Sequence, residues 1–225
     1  MRRIVIIVLV ALGTTVLAWE TAESFYFAKP IAGRVVEWGT STGLQDVTVV
    51  ADWQLQGGLG GFDPRGHVVI LETKTDTEGR FAFPRWGPRF ALPRGRLIDR
   101  DPMLLFFKGG YFPRELHNRD DSNTWVRTSD WDGATVSMEP ASRRPDQYAD
   151  AVQNFGGTVD VSFFHPGGCA WRKIPHLLLA LDREGEALSR QQRLSDNPSL
   201  ASWGRVHPEC HFDEDQVRRN GEWAR

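Results

Sequence analysis

The segments IAGRVV (31–36), GTSTGLQDVTVVA (39–51) and TDTEGRFAFP (75–84) decide the fold of this chain. Two runs rich in valine are separated by a Gly/Ser/Thr turn, and an Asp-x-x-Gly turn then leads into Phe-x-Phe. This order is typical of consecutive β-strands joined by short turns. Because side chains alternate between the two faces of a strand, the buried face of each of these two strands should hold a set of apolar residues. The two predicted sets are Val47, Val49, Ala51 and Trp53 on one strand and Phe81 and Phe83 on the next.

Two residues explain the turn before the Phe-x-Phe strand. Asp76 can accept backbone N–H groups across the turn, and Gly79 can adopt a positive φ that strains any residue with a Cβ. We therefore interpret both as structural turn residues with no part in a reaction.

These segments resemble the carboxypeptidase regulatory-like domain. The residues that carry the resemblance are I-x-G-x-V at the start, the GLQDVTV segment, and T-D-x-x-G-x-F-x-F at the end. The resemblance implies a mainly β fold, a seven-stranded prealbumin-like antiparallel sandwich over residues 29–140, with further strands at 103–108, 110–116 and 134–139. It also implies an accessory module of secreted and cell-envelope proteins without catalytic residues. The Gly-rich insertion 54–66 departs from this pattern, and we expect it to be a mobile loop.

Beyond the predicted sandwich the pattern changes from strand to helix. Residues 145–155 and 174–188 carry apolar side chains at helical spacing. We predict that 141–225 forms a partly helical C-terminal extension that packs on the sandwich. The Pro- and Arg-rich segment 86–100 is interpreted as a connection, and the Asp-rich segment 119–132 as a solvated loop.

The N-terminus has the pattern of an export signal. Arg2 and Arg3 precede an apolar run, and Val16 and Ala18 occupy the −3 and −1 positions of a candidate cleavage site. The run is shorter than the roughly 20 residues that span a bilayer comfortably. A cleaved signal peptide at 1–18 is therefore favoured over an uncleaved N-terminal membrane anchor. We expect an exported protein, either periplasmic or secreted.

Composition indicates a globular chain. Of its 225 residues 40% are hydrophobic and 25% are charged, which is enough apolar material for a sizeable core. The net charge of −2 gives no electrostatic reason to bind nucleic acid or an anionic membrane surface.

The chain contains two cysteines, Cys169 and Cys210. In an exported protein such a pair usually forms a disulfide, which is the favoured interpretation. The alternative is a metal site, since zinc takes nitrogen and sulfur ligands and His165, His207 and His211 lie close to the cysteines in sequence. The spacings H-x3-C and H-x2-C-H match no recognised zinc finger. We therefore expect no metal and no other cofactor.

The motifs do not indicate catalysis. GTSTG (39–43) matches the G-x-S-x-G string of a nucleophile elbow, but that mechanism needs a strand-to-helix turn, whereas this segment leads into another strand. His67, His117 and His176 stand in no sequence motif with a Ser, Cys or carboxylate. The sequence therefore predicts a protein that is not an enzyme.

Three classes of function remain. The favoured one is a non-catalytic exported or cell-envelope module that binds an unidentified protein or glycan, with the insertion 54–66 taking part. The second is a structural or assembly accessory protein whose helical extension docks a partner, and the third is a metal-binding protein built on the His/Cys set. Aromatic side chains could stack on a ligand. The candidate binding residues are Trp38, Trp53, Trp86 and Phe62, with Trp125 and Trp131 as further candidates for sugar stacking.

Overall fold

The computed structural model describes residues 25–57, 63–91, 95–98, 100–119, 125–164, 169–191 and 199–222. The predicted signal peptide at 1–18 lies outside these ranges. The strands within them are β1 (Phe25–Ala28), β2 (Ile31–Glu37), β3 (Thr48–Gly57), β4 (Asp63–Lys74), β5 (Arg80–Phe83), β6 (Trp86–Phe90), β7 (Arg96–Leu97), β8 (Met103–Phe107), β9 (Arg114–Leu116), β10 (Val126–Arg127) and β11 (Thr135–Met138). The helices are α1 (Pro145–Phe163), α2 (Pro175–Arg190), α3 (Leu200–Val206) and α4 (Glu214–Glu222).

The strands form a β-sandwich followed by helices, which confirms the predicted fold class. One sheet has the order β4-β3-β8-β9, with β7 also paired to β3, and a second sheet has the order β11-β2-β5. The first two sheets enclose an apolar core, and a third small sheet with the order β10-β1-β6 adds Tyr26 and Ala28 to it. The described strands number eleven, several of them only two or three residues long, and the pairs β2–β11 and β1–β10 are parallel.

The central strands β3 and β8 are buried on both faces. In β3, Val49 and Ala51 belong to the core between the sheets, whereas Val50 belongs to a second core shared with the helices. In β8 the side chains alternate in the same way, with Leu104 and Phe106 facing the first core. This double burial explains why the run Met103–Phe107 is continuously apolar instead of alternating.

The helices form a layer against the outer face of the five-stranded sheet. Their apolar side chains pack directly on β8, and polar contacts join the same layers. The Tyr148 hydroxyl accepts a hydrogen bond from the Gly110 N–H at 2.8 Å and donates one to Glu184 at 2.9 Å. Burial raises the pKa of the Tyr148 phenol, and the neighbouring Glu184 carboxylate raises it further. No described helix is long and apolar enough to cross a membrane.

The prediction of a mobile loop at 54–66 is wrong for its described part. Strand β3 continues to Gly57 and β4 begins at Asp63, with Gln54 opposite His67. Two shifts of register interrupt this pairing, and such irregularities break the period-two pattern from which a strand is recognised. The remaining residues, 58–62, include the candidate Phe62 and lie outside the described part of the chain.

The interpretation of 86–100 as a plain connection is also wrong. Residues Trp86–Phe90 form β6, which pairs with β1, and Arg96–Leu97 pair with β3. Proline hides β6 because it is uncommon in strand interiors, yet an edge strand accepts proline. Strand β6 is such an edge, at the end of the third sheet.

The turn between β4 and β5 has a carboxylate at its centre. Asp76 accepts hydrogen bonds from the N–H groups of Glu78 at 2.9 Å and Arg80 at 2.8 Å. Gly79 has a φ of 78°, and a Cβ there would clash with the Val35 carbonyl oxygen. The bond from the Arg80 N–H is the largest influence and lowers the pKa of the Asp76 carboxyl; desolvation opposes it, and the bond from the Glu78 N–H lowers the pKa further.

Replacing Asp76 by alanine should lower stability in a pH-dependent way. A carboxyl whose pKa is lower in the folded state stabilises the fold above its unfolded pKa of about 3.9 and loses this effect as the pH falls through the folded value. We expect Asp76→Ala to unfold at lower urea concentration than the wild type at pH 7. The difference should shrink below about pH 4. A difference that stays constant from pH 7 to pH 3 would contradict this account.

Candidate functional site

A cleft of about 560 Å³ lies beside β4, at the end of the five-stranded sheet. One wall is β4 itself, from Arg65 to Leu71. Arg89 of β6 contributes from the side of the sandwich, and the segment 169–173 contributes from the side of the helices. The side chains of this segment that line the cleft are Cys169, Ala170, Arg172 and Lys173.

The cleft follows the edge of β4 rather than one of its faces. Seven consecutive residues of the strand line it, whereas a cleft over a face would contact alternate residues only. Thr75 donates its N–H to the Val47 carbonyl at 3.0 Å, and pairing is regular from there to Trp53 opposite Val69. Since hydrogen-bonded and non-hydrogen-bonded pairs alternate in an antiparallel ladder, the N–H and C=O of Ile70 point away from β3. No strand within the described ranges pairs with these two groups, so the cleft contains strand backbone without a strand partner there.

The charged side chains that line the cleft are all cationic. They are Arg65, Arg89, Arg172 and Lys173, and the described lining residues include no Asp or Glu. The chain as a whole has a net charge of −2, so this concentration of positive charge is local. A concave surface of one sign attracts ligands of the opposite sign.

A disulfide holds the helical wall of the cleft. Cys169 and Cys210 are joined, as the sequence predicted. Between them Trp171 is fully buried, and its indole N–H donates to the Cys210 carbonyl at 3.1 Å. Arg172 lies over the Trp171 ring at 4.2 Å and its Nε donates to Gln216. The cationic residues of this wall therefore sit on a cross-linked support.

Glu72 connects β4 to the same wall. Its carboxylate accepts hydrogen bonds from the N–H groups of His176 at 3.1 Å and Leu177 at 2.7 Å, and it contacts His176 Nδ1 at 2.7 Å. These N–H groups belong to the first turn of α2, which has no side-chain cap of its own. Only 5% of the Glu72 side chain is exposed. The Glu72 carboxylate is thus used as a helix cap, and it is not among the described residues that line the cleft.

A histidine and a carboxylate meet beside the cleft. His67 Nδ1 lies 2.7 Å from Asp52 Oδ1, and the ring stacks on Phe163. Asp52 is fully buried and also accepts a bond from Gln54. This pair resembles a general base with its orienting carboxylate, but among the described residues no hydrogen bond joins the His67 ring to a hydroxyl or thiol. Sequence analysis treated His67 as isolated because its partner is not in a motif with it.

The structure separates the predicted aromatic binding residues. Trp53 is 1% exposed and packs edge-on against Trp86, so its assignment to a binding surface is corrected to the core. Trp38 is 46% exposed, but the Arg143 guanidinium covers its ring at 4.0 Å. Trp131 donates its indole N–H to His117 and has Arg119 over its ring. Trp125 is 59% exposed. None of these rings lines the cleft.

One histidine of the alternative metal site, His207, has other partners. His207 lies 2.9 Å from Asp160 and 3.2 Å from Glu209, and the two sulfur atoms are bonded to each other. Within the ranges that the structure covers, no group of three His, Cys, Asp or Glu side chains could hold a metal ion. His165 lies outside these ranges.

Comparisons with known proteins leave the family open. Neither a protein-family model nor a curated protein matches this chain. A chain of a type II cohesin–X-dockerin complex from Acetivibrio cellulolyticus is similar at 14% identity and a TM-score of 0.24, over 49% of this chain and 56% of that one. 3-Chlorocatechol 1,2-dioxygenase from Rhodococcus opacus is similar at 14% identity and a TM-score of 0.32, over 52% of this chain and 61% of that one. This chain thus spans between about half and two thirds of their lengths, and similarity this low carries no inference about function.

Sequence reasoning missed most of the cleft. Arg89 lies in the segment interpreted as a connection, and Arg172 and Lys173 lie three and four residues after the first cysteine. The WRK string beside Cys169 is the one signal that could have indicated a basic wall. Its position opposite β4 depends on tertiary packing between distant parts of the chain.

Proposed function

We propose that this chain is a non-catalytic exported binding module, and that the cleft beside β4 holds an anionic region of a partner protein. The observation that carries the proposal is the set of four cationic side chains, with no carboxylate among the described residues that line the cleft. Arginine and lysine bind carboxylates and phosphates through charge-assisted hydrogen bonds. The complementary surface of the partner is therefore acidic.

The disulfide supports the exported location, because such bonds persist in oxidising compartments. Whether that compartment is the periplasm or the outside of the cell belongs to the proposal, as does the predicted signal peptide. The resemblance to the carboxypeptidase regulatory-like domain supports an accessory role without catalysis. The observed sandwich is compatible with that family.

A protein partner is favoured over a glycan. The glycan alternative depends on exposed tryptophans as stacking platforms, yet Trp53 is buried, the ring of Trp38 already carries a guanidinium, and the exposed Trp125 does not line the cleft. Charge and exposed strand backbone are features that recognise polypeptides. A structural or assembly accessory protein remains the second candidate, since docking an acidic partner would also serve assembly.

Reversing two charges of the cleft should remove binding of an acidic polypeptide. The probe is fluorescently labelled poly-L-glutamate, titrated at low salt with the purified protein and with Arg89→Glu/Lys173→Glu. We expect the double variant to bind at least about tenfold more weakly, which corresponds to about 1.4 kcal/mol, and wild-type binding to weaken as salt screens the charges.

The matched control is Lys29→Glu/Arg114→Glu, which makes the same change in net charge at two exposed positions outside the cleft. It should keep most of the wild-type affinity. Equal losses in both double variants would show that only net charge matters and would contradict the proposed site. Binding of polygalacturonate in place of polyglutamate would favour the glycan alternative.

A further inference from the structure

We propose that the partner binds as an extended acidic segment that adds a strand to the edge of β4. This inference rests on the proposed function and specifies how the cleft recognises its ligand. Three observations carry it: the position of β4 at the end of its sheet, the outward direction of the Ile70 backbone, and the cations on both sides of that edge.

Strand β4 has an edge without a strand partner in the described part of the chain, and its pairing with β3 is regular over residues 69–71 of the cleft. Strand β3 pairs with it on one side, and among the described strands none pairs with it on the other. Alternate residues of such a strand present N–H and C=O groups that await a partner. A polypeptide in extended conformation supplies these groups at the matching spacing, and this mode of recognition recurs in peptide-binding proteins.

The two walls of the cleft specify the side chains of the added strand. Arg89 belongs to β6, whose Trp86 packs on the core between the sheets, whereas Arg172 and Lys173 follow Ala170, which packs on the helical core. The cations therefore approach the edge from opposite faces of the sheet. Because side chains of a strand alternate between those faces, acidic residues at neighbouring positions of the ligand would each meet a cation.

A second copy of this chain fits the edge poorly. Pairing two β4 edges would bring the cationic sets of both copies together, and like charges across an interface oppose association. The same cations would attract a carboxylate-rich strand. An acidic segment of another protein is thus the occupant that the charge favours.

The experiment separates backbone pairing from charge. The probes are a labelled glutamate-rich peptide of about seven residues, matching the stretch of β4 that lines the cleft, and a peptoid with the same length and carboxylates but without backbone N–H groups. We expect the peptide to bind the wild-type protein at least about tenfold more tightly than the peptoid, since the peptoid cannot donate to the edge. The double variant Arg89→Glu/Lys173→Glu should bind neither probe with the affinity of the wild type.

Two further measurements locate the contact. Hydrogen exchange at the Ile70 amide should slow by about tenfold or more when the peptide saturates the protein, while the Leu71 amide, which faces β3, should change little. Ile70→Pro removes the outward N–H without removing a bond to β3 and should weaken the peptide but not the peptoid. Ile70→Val is its control. If Ile70→Pro fails to fold, the probe comparison and the exchange data on the wild type still decide the matter.

The outcomes distinguish the two proposals. Equal affinity for peptide and peptoid, with no protection of Ile70, would overturn strand addition and leave an acidic-ligand module in place, provided that the double variant loses both. If the wild type bound neither the peptide, nor the peptoid, nor polyglutamate, both proposals would be overturned. Self-association of the free protein that protects the Ile70 amide would show that a second copy occupies the edge.

Discussion

Removing the disulfide between Cys169 and Cys210 should lower the free energy of unfolding by about 4 kcal/mol. The bond closes a loop with a sequence separation of 41, and in the chain-entropy model a loop of this length restricts the unfolded chain by about that amount. The measurement is urea unfolding of Cys169→Ala, Cys210→Ala and the double variant, compared with the wild type under oxidising conditions.

The single variants supply the control for this prediction. Each of them already breaks the bond, so both should lose about as much as the double variant. If the losses in the single variants instead added up to the loss in the double variant, packing of the side chains would explain the effect and the cross-link would not. Because Arg172 and Lys173 lie within the cross-linked segment, breaking the bond should also weaken polyglutamate binding.

Replacing Glu72 by alanine should cost about 3 kcal/mol of stability. The substitution removes the acceptor for the N–H groups of His176 and Leu177 at the start of α2, where no other side chain caps the helix. Bonds to a charged acceptor contribute about 1.5–3 kcal/mol, and buried groups left without partners add to the loss. Urea unfolding monitored by circular dichroism measures the difference.

Glu78→Ala is the matched control for this substitution. Glu78 is largely exposed and pairs with Arg80 across a turn, so its removal should change stability by less than about 1 kcal/mol. Glu72→Gln keeps a side-chain oxygen and should fall between the two. A loss in Glu72→Ala no larger than that in Glu78→Ala would refute the role of Glu72 as the cap of α2.

The sandwich could be predicted because its signals are local. The alternation in β3 and β5 and the turn at Asp76 depend on residues close together in sequence, and the apolar run of β8 indicates a strand buried on both faces. Helices α1 and α2 were found from their apolar spacing, although both extend past the predicted ends. Helices α3 and α4 were missed because they are short. Their buried apolar side chains are few, with Val217 the one buried hydrophobic residue of α4.

The cleft could not be predicted because it depends on which elements become neighbours. Glu72 and His176 are separated by 104 residues, and no pattern in the sequence pairs them. Strand irregularities also concealed the extension of β3 and β4 into the predicted loop, so that Arg65 was assigned to a mobile segment. Compartment reasoning, by contrast, predicted the disulfide correctly, since it requires two cysteines and an oxidising environment but no knowledge of geometry.

The two-sided burial of β8 limits how this protein can be divided. A recombinant fragment that ends near Pro140 would keep all the strands that the structure describes, yet it would expose Leu105 and Phe107 to solvent on the face that the helices cover. Such a surface promotes aggregation, so the boundaries suggested by family resemblance are unsuitable for expressing the sandwich alone. Recombinant fragments, domain swaps and fusion proteins should therefore include the strands and the helices together.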